Sequence, residues 1–314
     1  MNSTFSSKFL LAPSVACLTA VLLGVGCGGD SSSPAPAKGD AAAPAAPVAK
    51  KTIANIGSDT MVNLAAAWAE AYGQVDKSVS VEVNGGGSGT GMAALLNGTC
   101  DVANSSRKIE EKEVTELKTK HNKEAKEFMV GYDALSIFVH KDSPLTEITM
   151  EQLSEIYKEG GKITKWSDLG VTVPGAKGDE IIRVSRQNNS GTYHYFKEAI
   201  VGKKNEFKLG SLDMNGSKDV VDLISKTPNA IGYSGMGYAT ADVKQLKVSK
   251  KKGEPGIAPS IATTLDKSYP IARPMFLYTA GEPQEHVKKY IDWIMSDAGQ
   301  KIVETTGYVP LPKK

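Results

Sequence analysis

From Thr52 onward the chain alternates between short apolar strands and amphipathic helices. Valines at every second position of 79–83 have the period of a half-buried strand. Residues 59–72 instead carry apolar side chains at helical spacing. Strong strands follow at 134–140 and 273–280, with helical patterns between and after them. Repeated strand–helix alternation predicts an α/β fold with a mostly parallel sheet.

The N-terminal segment has a different pattern, which is typical of a targeting signal. An apolar stretch follows Lys8 and ends in V-G-C-G-G. This stretch looks like a bacterial lipoprotein signal covering residues 1–26, with Cys27 as the lipidated first residue; ordinary secretory cleavage nearby is the alternative. Residues 27–51 are rich in Ser, Pro and Ala, which predicts a flexible tether with ends about 25 Å apart.

These features predict export across the cytoplasmic membrane and a lipid-anchored, periplasmic or cell-surface protein. Cys17 leaves with the signal and Cys27 carries lipid, so Cys100 has no partner for a disulfide and reads as a small buried filler. The 314-residue chain is 40% hydrophobic and 23% charged, as in soluble globular proteins. Its formal net charge of +2 argues against nucleic acid as a partner.

Four polar loops rich in glycine or hydroxyl residues follow predicted strands. In α/β sheets, ligands bind where loops leave the carboxyl ends of strands and helices begin. These positions are therefore candidates for one binding site. The four loops are 57–60, 85–91, 104–107 and 186–192.

The first two loops can each be read in two ways. Ser58, Asp59 and Thr60 stand at a helix start, where they either cap the helix or help its free N–H groups hold an anion. The run N-G-G-G-S-G-T-G, with Ser88 and Gly89, fits neither a Walker A motif nor a dinucleotide fingerprint. It is either a flexible turn or a loop that brings backbone close to a small oxyanion.

The last two loops add hydroxyl groups and one cation. Ser105–Ser106 are candidate ligands, or else capping serines of a solvated loop. In S-R-Q-N-N-S-G-T, Arg186 offers a bidentate guanidinium. Ser190 and Thr192 add hydroxyls, and Gly191 permits close approach of the backbone at a helix N-terminus. The alternative is a capped helix with a surface arginine.

The sequence contains no pattern of catalytic or metal-binding residues. Its four histidines lack E-x-x-H or H-x-x-x-H spacing, and Cys100 has no companion ligand for zinc. We therefore expect a binding protein without catalytic residues, metal or cofactor. The ligand should be a small tetrahedral oxyanion that accepts many hydrogen bonds.

The motifs, taken in order, resemble those of phosphate-binding proteins of ABC-type phosphate uptake systems, the PstS type. The resemblance spans Ile53 to Leu311. Each piece is weak alone, and the order makes the match specific. The motifs are G-S-D-T, G-G-G-S-G-T-G, D-V-A-N-S-S-R, K-I-T-K-W-S-D-L, R-Q-N-N-S-G-T, N-A-I-G-Y and G-Y-V-P-L.

The resemblance implies a two-lobed type II periplasmic-binding-protein fold with two chain crossovers and a ligand cleft between the lobes. Lobe one would comprise 52–132 and 272–314, and lobe two 133–271. The first three loops would hang from lobe one and the arginine loop from lobe two. The family's function implies a monomer that binds inorganic phosphate and delivers it to a membrane permease.

The third loop departs from the family pattern. Well-known enterobacterial members have an aspartate there that accepts the proton of hydrogen phosphate, whereas this chain has Ser106. We hypothesise that Asp59 supplies the missing acceptor, so that Asp59→Asn would weaken discrimination against sulfate. Asp133, at the predicted crossover, is a weaker candidate and is otherwise a hinge hydrogen-bonding residue.

Other functions remain open at the level of sequence. The ligand could be sulfate, molybdate or tungstate, although Asp59 and the arginine loop favour phosphate. A sensor could keep the fold without transport. A secreted phosphatase would need a nucleophile or metal ligands that the sequence does not present.

Overall fold

The computed structural model describes residues 50–313; the predicted signal, Cys27 and all of the tether except Lys50 and Lys51 lie outside this range. The strands are β1 Lys51–Gly57, β2 Val79–Asn84, β3 Val102–Ser105, β4 Ala125–His140, β5 Glu147–Thr149, β6 Ile182–Arg186, β7 Leu212–Met214, β8 Ala230–Gly235, β9 Val243–Gln245, β10 Lys247–Ser249 and β11 Ala272–Ala280. The α-helices are α1 Val62–Val75, α2 Ser88–Leu96, α3 Glu111–His121, α4 Met150–Tyr157, α5 Gly191–Phe196, α6 Ser217–Ile224, α7 Ile261–Leu265, α8 Glu285–Ile294 and α9 Asp297–Thr305.

The amphipathic helix predicted after the first strand is confirmed as α1. It buries Leu64, Ala65, Trp68 and Tyr72 on one face. The Trp68 indole donates a hydrogen bond of 2.9 Å to the carbonyl of Gly299, which ties α1 to the C-terminal α9. The helical spacing of the sequence thus selects the face of α1 that packs on the sheet.

The main sheet is mixed, so the prediction of a mostly parallel sheet is wrong for its centre. Its strands run in the order β2-β1-β3-β11-β4-β8-β6-β7, with β9 paired to β4. The outer pairs β1–β2, β1–β3, β6–β7 and β6–β8 are parallel. The central pairs β3–β11, β11–β4 and β4–β8 are antiparallel.

One long strand connects the two halves of the sheet. The first part of β4 pairs with β11, ending at Ala134 opposite Ala272. From Leu135 to Val139 the same strand pairs with β8. The pairing partner therefore changes within one continuous strand, beside the first residue of β11.

Two large hydrophobic clusters pack on the sheet, and only one of them is confined to one side of this change. That cluster consists of residues between Ala134 and Ile271, including the stacked rings of Phe196 and Tyr233. The other packs α1, α8 and α9 around Trp68 and Tyr290 and extends across the change to residues of β6, α6 and β8. Among residues 50–313, no helix is long and apolar enough to cross a membrane.

Candidate functional site

The four polar loops identified in the sequence meet at one place. Each leaves the carboxyl end of β1, β2, β3 or β6, and three of them lead directly into α1, α2 and α5. The first three loops follow strands in one half of the sheet, and the fourth follows β6 in the other half. Contacts between their side chains build a buried polar cluster at the junction.

Three serines from the first three loops form a hydroxyl triangle. The Ser58 hydroxyl donates to Ser106 Oγ at 2.9 Å, and Ser88 Oγ lies 3.3 Å from Ser106 Oγ. The Ser106 backbone N–H also donates to Ser88 Oγ at 3.1 Å. All three side chains are buried, so these hydroxyls are held in place by their neighbours rather than by water.

A pair of threonines joins the first loop to the fourth. Thr60 Oγ1 and Thr192 Oγ1 are 2.8 Å apart, although 132 positions separate them in the chain. Both residues are buried. The loop that starts α1 and the loop that starts α5 therefore touch through their hydroxyls.

Gly191 lets these loops come this close. A Cβ at this position would lie 2.3 Å from Ser88 Oγ and 2.6 Å from Ser106 Oγ. Any side chain would therefore collide with two members of the hydroxyl triangle. The expectation that this glycine permits close approach is matched by the contacts around it.

Arg186, the charge that the sequence singled out, is fully buried at the end of β6. Its guanidinium donates to Ser217 Oγ at 2.9 Å and to the carbonyls of Met214 and Asn215 at 3.3 and 2.8 Å. It also forms an ion pair of 3.0 Å with Asp59. Burial lowers the pKa of Arg186 and Asp59 opposes this shift, so the group stays cationic.

Both carboxylate oxygens of Asp59 accept hydrogen bonds from the protein. Oδ1 accepts from the Gly86 backbone N–H at 2.7 Å, and Oδ2 from Arg186. The Tyr238 hydroxyl donates to the Asp59 carbonyl at 2.7 Å. Asp59 therefore connects the first loop, the glycine run and the arginine loop. Whether it also accepts a ligand's proton remains a prediction.

The backbone of the glycine run contacts Asn189 of the arginine loop. The Gly89 N–H donates to the Asn189 carbonyl at 2.9 Å, and the side-chain amide of Asn189 donates to the Gly86 carbonyl at 2.8 Å. Gly87 has φ +94°, which disfavours other residues, and a Cβ there would lie 2.7 Å from the Asn189 carbonyl oxygen. In this conformation the Gly89 N–H is occupied by the protein.

Two predicted site residues use their hydroxyls locally. Ser105 Oγ donates to the Arg107 carbonyl at 2.7 Å. Ser190 Oγ accepts from the N–H groups of Thr192 and Tyr193 and caps α5. The capping alternative thus describes Ser190 well, while Ser105 stabilises its own turn. Within residues 50–313, neither hydroxyl forms a hydrogen bond with a hydroxyl of the triangle or of the threonine pair.

The sequence of this chain matches a known protein family. Residues 41–298 match the family model described as a PBP superfamily domain. The phosphate-binding protein PstS of Pseudomonas aeruginosa is 35% identical over 272 residues, which cover 83% of this chain and 84% of that protein. The chain belongs to this PstS-type family. The predicted two-lobed periplasmic-binding-protein fold is thereby confirmed.

Solved structures of related proteins agree with this membership. A phosphate transporter substrate-binding protein of Clostridium perfringens, described with bound phosphate, aligns with a TM-score of 0.74 at 29% identity. The alignment covers 83% of this chain and 100% of the C. perfringens chain. A phosphate transport receptor of Vibrio cholerae aligns at 0.64 and 26% identity, over 83% of this chain and all of its own. These relatives are transport receptors, so the prediction that this PstS-type protein is not an enzyme is confirmed.

Sequence reasoning missed a second buried arginine. Arg273, in β11, is 1% exposed and donates to Thr192 Oγ1 at 2.9 Å and to Thr60 Oγ1 at 3.2 Å. Its signal in the sequence is one cation inside the apolar strand A-R-P-M-F-L-Y-T-A, at the predicted second crossover. Because a charge is almost never buried in a strand without a partner, that position invites the question of what it binds.

The partner is Asp133, which lies beside Arg273 in the antiparallel ladder. Asp133 Oδ2 accepts from Arg273 Nη2 at 2.9 Å and from Nε at 3.2 Å. Burial raises the pKa of Asp133, and Arg273 acts in the opposite direction. The interpretation of Asp133 as a hydrogen-bonding residue at the crossover agrees with this geometry.

The cluster therefore combines two arginine–aspartate pairs with five hydroxyls. Arginine guanidinium groups, serine and threonine hydroxyls are suited to an oxyanion. Among residues 50–313, no group of three or more His, Cys, Asp or Glu side chains is arranged to hold a metal ion. Burial raises the pKa of Cys100 to about 12, so its thiol is protonated at neutral pH and is a poor nucleophile.

Proposed function

We propose that this PstS-type protein captures inorganic phosphate between two lobes outside the cytoplasmic membrane and delivers it to an ABC-type permease. The observation that carries the proposal is the convergence of four strand-end loops on one buried cluster of hydroxyls and guanidinium groups. The names of the relatives from P. aeruginosa, C. perfringens and V. cholerae support phosphate as the ligand.

The proposed lobes are 52–132 with 272–314, and 133–271. The change of partner along β4 and the start of β11 at Ala272 support these boundaries. The proposed ligand set is that of the sequence: Ser58, Asp59, Thr60, Ser88, Gly89, Ser105, Ser106, Arg186, Ser190, Gly191 and Thr192.

Within this set, the serine triangle and the threonine pair are the best-supported donors. They are buried and already aligned with one another. An oxyanion bound among them would exchange hydroxyl–hydroxyl contacts for hydroxyl–anion bonds, which are stronger because one partner is charged. Closure of the cleft is then favoured by contacts that exist only when both lobes hold the same ligand.

We further propose that Cys27 carries a lipid and holds the protein as a monomer at the membrane. The support is the apolar stretch ending in V-G-C-G-G and the tether that follows it. Mass spectrometry of the mature chain is the test. A lipid mass on an N-terminal Cys27 would support the anchor, and an unmodified N-terminus beyond Cys27 would contradict it.

Calorimetric titration with phosphate, sulfate and molybdate tests the ligand. We expect saturable one-site heat with phosphate and at least tenfold weaker binding of the other two anions. Absence of heat with phosphate would overturn the proposal. Equal or tighter binding of sulfate or molybdate would assign the protein to another tetrahedral oxyanion, and phosphate binding without a functional link to uptake would favour a sensor.

A further inference from the structure

Arg273 donates hydrogen bonds to both hydroxyl groups of the threonine pair. Its Nη2 donates to Thr192 Oγ1 at 2.9 Å, to Asp133 at 2.9 Å and to Thr60 Oγ1 at 3.2 Å. Its Nη1 donates to the Ser106 carbonyl at 3.3 Å, and its Nε to Asp133. The guanidinium thus touches both the threonine pair and the loop of the serine triangle.

We propose that Arg273 is a positioning residue that makes Thr60 and Thr192 donate to a bound anion, an inference that rests on the proposed function. A hydroxyl has one proton and two lone pairs. A threonine oxygen that accepts from a cation has its own proton directed elsewhere. When an oxyanion separates the pair, each hydroxyl can keep its bond from Arg273 and donate its proton to the ligand.

The environment of Arg273 suits this role better than that of Arg186. Asp133 holds the guanidinium through two of its nitrogens, and the ring of Tyr195 lies 5.5 Å below it. Arg186 instead directs its donors to Ser217, two carbonyls and Asp59. Within residues 50–313, Arg186 makes no hydrogen bond to either threonine hydroxyl. The two arginines therefore have different tasks.

The contacts of Arg273 also indicate where the protonated oxygen of a hydrogen phosphate would lie. We expect it beside the serine triangle rather than beside the threonine pair. Because one lone pair of each threonine oxygen already accepts from Arg273, the pair is a weaker acceptor for a ligand proton than a hydroxyl without a cation beside it. Within residues 50–313, no arginine or lysine donates to the hydroxyl oxygens of Ser58, Ser88 and Ser106, which can therefore accept as well as donate. The serine triangle, where family members can have a carboxylate, would then receive the proton.

A double-mutant cycle on Thr192 and Arg273 tests the inference, with phosphate affinity measured by calorimetry. We expect Thr192→Val alone to weaken phosphate binding about 10-fold and Arg273→Gln alone by about 100-fold, as for lost charge-assisted hydrogen bonds. In the Arg273→Gln background, Thr192→Val should weaken phosphate binding by less than about threefold, because the valine then removes a hydroxyl that is no longer oriented. Arg273→Lys should restore part of the Thr192 effect.

Arg186→Gln provides the matched control. This variant also removes a buried guanidinium, but the Thr192→Val effect should stay at about 10-fold in its background because Arg186 does not bond to Thr192. The inference would be overturned if the losses of phosphate affinity in Thr192→Val and Arg273→Gln simply multiply in the double variant. It would also be overturned if Thr192→Val is coupled equally to Arg273→Gln and Arg186→Gln. If Arg273→Gln does not give a cooperative thermal transition, the Arg273→Lys cycle decides instead: a Thr192→Val effect smaller than the roughly 10-fold of the unmodified protein supports the inference, and a full effect of about 10-fold overturns it. Lack of phosphate binding by the unmodified protein would instead reject the proposed function.

Discussion

At the scale of single residues, the carboxylate of Asp59 shows how an acidic group in the proposed anion site can be fully engaged by the protein itself. Its two oxygens accept from the Gly86 N–H and from Arg186. Such an aspartate balances the buried arginine and joins two loops. Its presence at the start of α1, in the proposed anion site, therefore has a structural explanation that does not require a ligand proton.

This geometry changes the expected result of Asp59→Asn. Because the carboxylate is turned to Gly86 and Arg186, phosphate and sulfate affinities should shift together, and their ratio should change by less than about threefold. Competition titration measures the ratio, with Asp222→Asn on the exposed face of α6 as the control. A loss of discrimination of tenfold or more would show that Asp59 does accept the ligand's proton.

At the scale of elements, turns and helix ends follow local rules, whereas some helices depend on their surroundings. Helix α2 ends at Leu96, and Gly98 follows two residues later in the left-handed region, with φ +68°. The polar helix α3 has no apolar stripe and buries only Glu113 and Leu117 along its length. Arg107 anchors it through Glu113 at 2.7 Å, a contact that hydrophobic periodicity does not reveal.

Two glycines allow a test of these local rules. Gly73 lies inside α1 and Gly98 in a left-handed turn, and an added Cβ would meet no atom within 4 Å at either position. Gly73→Ala should raise the free energy of unfolding by about 0.5–1 kcal/mol, because alanine favours the helix. Gly98→Ala should lower it by about 1 kcal/mol, because its backbone conformation suits glycine. Denaturant titration of both variants measures these changes, and the same sign for both would contradict the explanation.

At the scale of the whole molecule, the two proposed lobes meet through contacts that leave no room for extra atoms at Gly191. The neighbouring contacts are Thr60 with Thr192 and Asp59 with Arg186. Because each pair takes one residue from each proposed lobe, closure and ligand binding share the same side chains. A steric change here should therefore act on both.

Gly191→Ala is expected to hold the lobes apart. The methyl group would collide with Ser88 and Ser106, and overpacking of this kind should weaken phosphate binding by roughly tenfold or more. Small-angle scattering with phosphate should give a larger radius of gyration than for the unmodified protein. Gly178→Ala, which has open space around its Cβ, is the control. Unchanged affinity and dimensions in Gly191→Ala would show that closure does not require this contact.

Much of the protein follows from short stretches of sequence. Apolar periodicity identified α1, glycines marked the turns, and hydroxyl-rich loops after strands pointed to the candidate site, because these properties depend on neighbours in the chain. The residue that tertiary structure added is Arg273, whose partners Thr60, Asp133 and Thr192 come from distant segments. The antiparallel centre of the sheet and the orientation of Asp59 were likewise decided only in three dimensions, since pairing and hydrogen-bond partners depend on which segments the fold brings together.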